Sequence, residues 1–488
     1  MKKLFILLIL VLFAPILFLK FQTDANVFAY IGRVLVDEGV PYIDAWDHKG
    51  IFIYLINALG YLVFGLKSMT GIRILELILI LMAFLRFFTQ MRKKKPVLVV
   101  FIAGAFGLFT LKYFFDGGNL TEEYGAIFSL ISALLILKER VKPIDMAIVG
   151  ALFVVNFTIR ANLIGFWAAL FMFYVAKLLL RQKTFKEILL SFLKMGYGAL
   201  VVGLVLLGYF WLTDSFQAFI DAAFTFNFSY SDSSSSKTLN AIFMSAKRYR
   251  LAIILIIGWL LCVFRFFKDK KRMLELLLIF WIPIELYFSN ISGKLFAHYF
   301  MMWMPLIMFS IIILFDGIKE RFPLSNMKII VLAFILFCPL YYVPMYKVMM
   351  DWKKVVLPAT SKKMITVKHV NQNYADKSIL VWGNSPFIYN ETNKTSPVSY
   401  FYHSTFKYNS EVIQKISEDF ADQVLEKKPD LIIDGKRPGL LQLDRSNISE
   451  IGQGQIQNVT PFLNIIDTYY ELKETYNGLS YYTLKKNE

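Results

Sequence analysis

Residues 1–50 read MKKLFILLILVLFAPILFLKFQTDANVFAYIGRVLVDEGVPYIDAWDHKG. An apolar run over residues 4–19 gives way to a polar stretch, residues 23–50. That stretch gathers Asp24, Asp37, Glu38, Asp44, Asp47, His48 and Lys49 before a second apolar block opens at Ile51. The first run has the basic start and apolar core of a signal peptide, but no small-residue cleavage site follows, so it reads as the first membrane helix. Lys2 and Lys3 place its N-terminus in the cytoplasm and residues 23–50 outside.

Composition agrees with this opening. At 57% hydrophobic and 17% aromatic residues over 488 positions, the chain is too apolar for an ordinary soluble protein. Apolar runs approaching the roughly 20 residues needed to cross a bilayer recur up to residue 345 and then stop. The expected fold is an α-helical polytopic membrane protein with about 11 to 12 membrane helices over residues 1–345. A small extracytoplasmic α/β domain over residues 346–488 is expected to follow.

The net charge of +17 does not indicate nucleic acid as a partner. The tail from residue 346 is close to neutral, so nearly all of the excess lies in short connectors between apolar blocks, where it sets topology. Cys262 and Cys338 both lie in apolar runs and form no disulfide or zinc framework. Richness in Lys, Asn and Ile points to a bacterial source.

Five basic connectors, at residues 92–95, 138–142, 181–186, 268–272 and 319–321, are expected to be cytoplasmic. The apolar blocks then alternate with one exception. Blocks 51–66 and 73–91 both lie between external Lys49 and internal RKKK, and parity allows one net crossing, so the shorter first block is expected to be re-entrant or interfacial. If both cross, block 96–112 becomes the odd one. The outer connectors are FDGGNLTEEYG (115–125), RAN (160–162), a long segment at 213–237 and SNISGKLFAHYF (289–300). Four serines give the long segment the character of a flexible loop. In the tail, SILVWG (378–383), DLIID (430–434) and YYTL (481–484) predict strands, with a helix over 410–427. The WGNSP turn reads as a strand end closed by Gly and Pro.

A carboxylate at the outer membrane surface is able to accept a proton from an incoming hydroxyl, and a neighbouring cation balances a phosphate leaving group. Asp24, just after the first span, is a candidate base; the same position suits an ordinary helix cap. Asp44, Asp47, His48 and Lys49 place four polar groups in six positions, although Lys49 at a membrane edge also fits simple snorkelling.

DAWDHKG together with GGNLTEEY resembles the bacterial branch of the GT-C glycosyltransferases, related to protein O-mannosyltransferases and lipid A aminoarabinose transferases. The likeness covers most of residues 1–345. It implies that Asp24 is the acid of the first external loop, which activates the acceptor, and that Lys49 faces the lipid phosphate. Glu122 and Glu123 both match the place of the second-loop acid. Arg160 with Asn162, and Lys294 with His298 and Tyr299, resemble later external motifs near the phosphate or sugar. One departure is that Ile51 stands where the family places a proline shortly after the lysine.

The resemblance implies an inverting transferase on the outer face of a bacterial cytoplasmic membrane. It would move a sugar from a polyprenyl (undecaprenyl) phosphate carrier to a cell-envelope glycan such as wall polysaccharide or teichoic acid. No organic cofactor is implied. Some relatives use a divalent cation, which clustered carboxylates are able to bind, but no metal-specific ligand spacing occurs. A protein O-glycosyltransferase with the same donor stays open as an alternative. A lipid-linked sugar transporter would place its charges near the bilayer midplane and carry internal repeats, neither of which is evident.

Overall fold

The computed structural model describes residues 1–64, 69–230, 235–321, 325–357, 361–408 and 410–485. The apolar blocks named above are helical over nearly all of their described residues. The chain begins with α1 (Lys2–Phe13) and α2 (Thr23–Val36), then α3 (Ile51–Phe64), α4 (Thr70–Met91), α5 (Val97–Phe114) and α6 (Thr121–Ile136). It continues through α7 (Pro143–Ile159), α8 (Gly165–Leu179), α9 (Phe185–Leu212), α10 (Phe216–Ile220), α11 (Phe226–Tyr230) and α12 (Ser235–Arg248). The last long helices are α13 (Leu251–Lys268), α14 (Met273–Phe288), α15 (Met304–Arg321) and α16 (Asn326–Val356). Among the described residues five helices are long and apolar enough to cross a membrane, or six if the broken pair Lys2–Phe18 and Thr23–Val36 is counted. The chain is a multi-pass membrane protein, and the expected 11 to 12 crossings exceed the helices whose own length suffices. At about 1.5 Å per residue the 14 residues of α3 span about 21 Å, short of a hydrocarbon core about 30 Å thick.

The chain divides into two compact units. One unit comprises residues 1–20, 73–209 and 232–357; the other comprises 21–72, 210–231 and 358–488. Helix α16 runs unbroken across residue 345, and residues 358–488 group in one unit with residues 21–72 and 210–231.

In the first unit α5 packs against α15 and α16, α8 against α14, and α13 against α15. Trp281, Trp303 and Phe309 are fully buried there, as expected for helices that face other helices and not lipid. Several charges inside these apolar helices are paired. Lys112 meets Asp351 at 2.7 Å, Arg265 meets Glu275 at 3.2 Å, and Arg73 meets Glu76 at 2.9 Å.

The second unit is built on α2 and α3. Their backbones lie so close at Gly32 that a Cβ there would fall 2.6 Å from that of Asn57. Phe21, Ala25, Ala29, Tyr61 and Ile72 form a buried cluster between them. The tail supplies α17 (Lys362–Asn373), β1 (Ile379–Trp382), α18 (Phe387–Thr392), α19 (Glu411–Lys427), β2 (Leu431–Asp434), α20 (Gln453–Tyr469), β3 (Tyr470–Tyr476) and β4 (Leu479–Leu484). The sheet has the order β1-β2-β4-β3, with β1 and β2 parallel and the other neighbours antiparallel. All four side chains of β1 and of β2 are buried, as expected of parallel strands covered on both faces. Asn477 and Gly478, at φ 53° and 80°, close the β3–β4 hairpin with a turn that needs positive φ at both positions. The predicted strands and the helix over 410–427 are present, the helix capped by the Ser410 side chain. WGNSP closes β1 and leads into α18.

Of the segment at 213–237, expected to be a flexible loop, residues 231–234 lie outside the described residues. α10, a π-helical turn (Asp221–Thr225) and α11 run through it, so its apolar aromatic residues are ordered in helices. Of the four serines 233–236, two lie outside the described residues and two open α12. Cys262 is buried and unpaired; the side chain of Cys338 lies outside the described residues.

Candidate active site

Half of the polar stretch is helix. Asp24 stands exposed in the first turn of α2, where the helix N-terminus favours negative charge. From Ala25 to Val34 every residue is buried, because α2 forms a wall of the second unit. Asn390 Nδ2 donates to Asn26 O at 2.8 Å, and the N–H of Ser396 donates to the Tyr30 hydroxyl at 2.8 Å. Tyr30 also stacks on Phe401, centroid to centroid 4.1 Å.

After α2 the chain turns tightly. Asp44 accepts from the N–H of Val40 at 2.6 Å and closes this turn. Asp47 is 1% exposed. Its Oδ2 accepts from the Tyr54 hydroxyl at 2.7 Å, its Oδ1 accepts from the Tyr402 hydroxyl, and Nδ1 of His48 lies 3.1 Å from Oδ1. Burial works against the charged form of Asp47, but His48, Lys49 and Tyr402 outweigh it and hold the carboxyl well below the usual carboxylate range. Nζ of Lys49 lies 2.7 Å from Nε2 of His48. The main chain is pinned as well. Asn227 Nδ2 donates to His48 O at 2.7 Å, Tyr42 OH to Lys49 O at 2.9 Å, and the N–H of Trp46 to Ser399 O at 2.9 Å.

The first unit holds a second cluster. Glu122 and Glu123, indistinguishable in sequence, separate here. Glu122 is paired with Arg160, accepts from the Thr121 hydroxyl at 2.8 Å, and is buried. The Arg160 guanidinium lies over the Tyr299 ring, 4.3 Å from its centroid. Glu123 is fully buried and turned toward Glu76, whose carboxylate accepts from Arg73 at 2.9 Å and from the N–H of Asn119 at 3.0 Å. The glycines of GGNLTEEY serve this packing. Gly118, at φ +79°, lies so close that a Cβ would fall 2.1 Å from Oε1 of Glu76. Asn162 Nδ2 donates to Phe288 O at 3.3 Å and fastens the RAN turn to the end of α14. His298 stacks parallel to Phe296 and meets Tyr299 edge-on; Lys294 is half-buried in the turn before them. Arg160 and Tyr299 are thus brought together with Glu122.

Among the described residues no three His, Cys, Asp or Glu side chains gather as a metal site requires.

Over 98% of this chain and 97% of the other, the fold matches the crystal structure of ArnT from Cupriavidus metallidurans bound to undecaprenyl phosphate, with a TM-score of 0.59 and 12% sequence identity. The chain carries the GT-C fold. No protein-family model matches the sequence, and no curated protein matches it.

Several residues of these clusters are not marked out by the sequence. Tyr54 and Tyr402, which hold Asp47, carry no sequence pattern that separates them from the other aromatics. Arg73 and Glu76 did leave a signal, an oppositely charged i, i+3 pair inside an apolar helix, which is costly unless it has a task.

Proposed function

We propose that this protein is an inverting GT-C glycosyltransferase that takes a sugar from undecaprenyl phosphate and passes it to a hydroxyl of a cell-envelope glycan. The observation that carries the reading is the fold likeness, through both units, to a transferase whose structure holds undecaprenyl phosphate. Asp24 takes the proton of the acceptor hydroxyl. The hydroxyl oxygen bonds to C1 of the sugar as the bond from C1 to the carrier phosphate oxygen breaks, and the phosphate leaves with the electron pair. Lys49 balances the charge that the phosphate gains. One displacement inverts the anomeric centre. The basic connectors support a site and a C-terminal region outside the cytoplasmic membrane.

Exposure supports Asp24 as the base over Glu122 and Glu123. An acceptor reaches a carboxylate in an open first turn, whereas Glu122 is neutralised by Arg160 and Glu123 is enclosed. The test is transfer by purified protein in lipid nanodiscs, with undecaprenyl-phosphate sugars as donors and wall glycan as acceptor. Asp24→Asn is expected to lower turnover by about 10²-fold or more; retained transfer would sink the mechanism. Comparing envelope glycans with and without the gene identifies the acceptor. Loss of sugars from serines or threonines of secreted proteins would instead assign a polypeptide acceptor.

A further inference from the structure

Lys49 does not stand on a flexible stem alone. Its Nζ is 2.7 Å from Nε2 of His48, whose Nδ1 is 3.1 Å from Oδ1 of Asp47, and that oxygen accepts from the Tyr402 hydroxyl. Two donors cannot face each other, so one nitrogen of the His48–Lys49 contact presents a lone pair. An ammonium holds its proton far more tightly than an imidazolium, which leaves the lone pair on Nε2. The ring proton then sits on Nδ1 and points at Asp47. A buried carboxylate selects the histidine tautomer, and the tautomer offers the lysine an acceptor in a fixed place.

We propose that Tyr402 is a positioning residue for the Lys49 ammonium, acting through Asp47 and His48. The inference rests on the reading of Lys49 as the partner of the lipid phosphate. It gives the C-terminal region a task in the reaction. Tyr402 lies 355 positions after Asp47, and its hydroxyl helps orient the carboxylate from which the array starts. Tyr54 secures the other oxygen at 2.7 Å, so Asp47 has little freedom to rotate. An unanchored lysine would sample many rotamers, and ordering it on binding would weaken affinity for the phosphate.

The test uses full-length protein in nanodiscs, with undecaprenyl phosphate as the probe. Tyr402→Phe removes one hydroxyl without changing the ring, and is expected to weaken binding about tenfold, the scale of one hydrogen bond to a charged group. In the native protein with ¹⁵N-labelled histidine, His48 is expected to carry its proton on Nδ1, the less common form in water. There are only four histidines to assign. The native tautomer decides the matter even where Tyr402→Phe fails to fold. Unchanged affinity in folded Tyr402→Phe, or an Nε2–H tautomer in the native protein, overturns the inference while leaving Lys49 as a phosphate partner. Unchanged affinity in Lys49→Ala overturns the phosphate reading itself, and the inference with it.

Discussion

The guanidinium of Arg33, in the last turn of α2, donates to Oδ1 of Asn393 at 3.1 Å. It also reaches the carbonyls of Lys394 at 2.5 Å and Tyr389 at 3.4 Å. Asn393 ends α18 in the left-handed region, φ +55°, so Arg33 serves as a cation at a helix C-terminus 360 residues away. Arg33→Met removes these bonds from a residue that is 3% exposed. The expected loss is about 2 kcal/mol of stability, read as a lower melting temperature and faster proteolysis of the tail, with Arg33→Lys between the two.

Glu122 and Arg160 form a second pair whose separation has a predictable cost. Arg160→Ala leaves a buried carboxylate without its partner, which costs about 3 kcal/mol. Adding Glu122→Gln is expected to recover part of the loss in thermal unfolding. An arginine that acted only on ligand would give no such recovery.

His403 is fully buried behind Trp382 and Phe420, and accepts the N–H of Gly383 on Nδ1 at 3.2 Å. Burial pushes its pKa down from 6.5 to about 3. Unfolded chain therefore binds a proton that folded chain refuses. The stability from neutral His403 is complete above pH 6.5 and is lost as pH falls toward 3. Acid titration followed by tryptophan fluorescence is expected to show this loss, and His403→Asn to flatten the slope in that range.

Gly118→Ala is expected to destabilise by more than about 1 kcal/mol, because it combines positive φ with a Cβ driven into Glu76. Gly203→Ala is the control. Gly203 lies within α9 with nothing within 4 Å, so alanine there is expected to be neutral or stabilising by up to about 1 kcal/mol. Parallel melting curves check both.

Much of this protein was settled by residue order alone. Long apolar runs broken by basic connectors dictate membrane helices, because a backbone in lipid must satisfy its own hydrogen bonds. Alternation and apolar runs in the tail gave the positions of β1, β2 and β4. The charge of residues 23–50 singled out Asp47, His48 and Lys49 before any contact was known. Pattern could not say that α2 is buried in one unit with the tail, since an amphipathic helix shows its apolar face without naming what covers it. Nor could it separate Glu122 from Glu123. Adjacent residues on a helix point about 100° apart, so one meets Arg160 and the other Glu76 only once α4, α6 and the turn after α7 are packed. Tyr402 became the partner of Asp47 for the same reason, since contacts across 355 residues are made by packing and leave no periodicity to read.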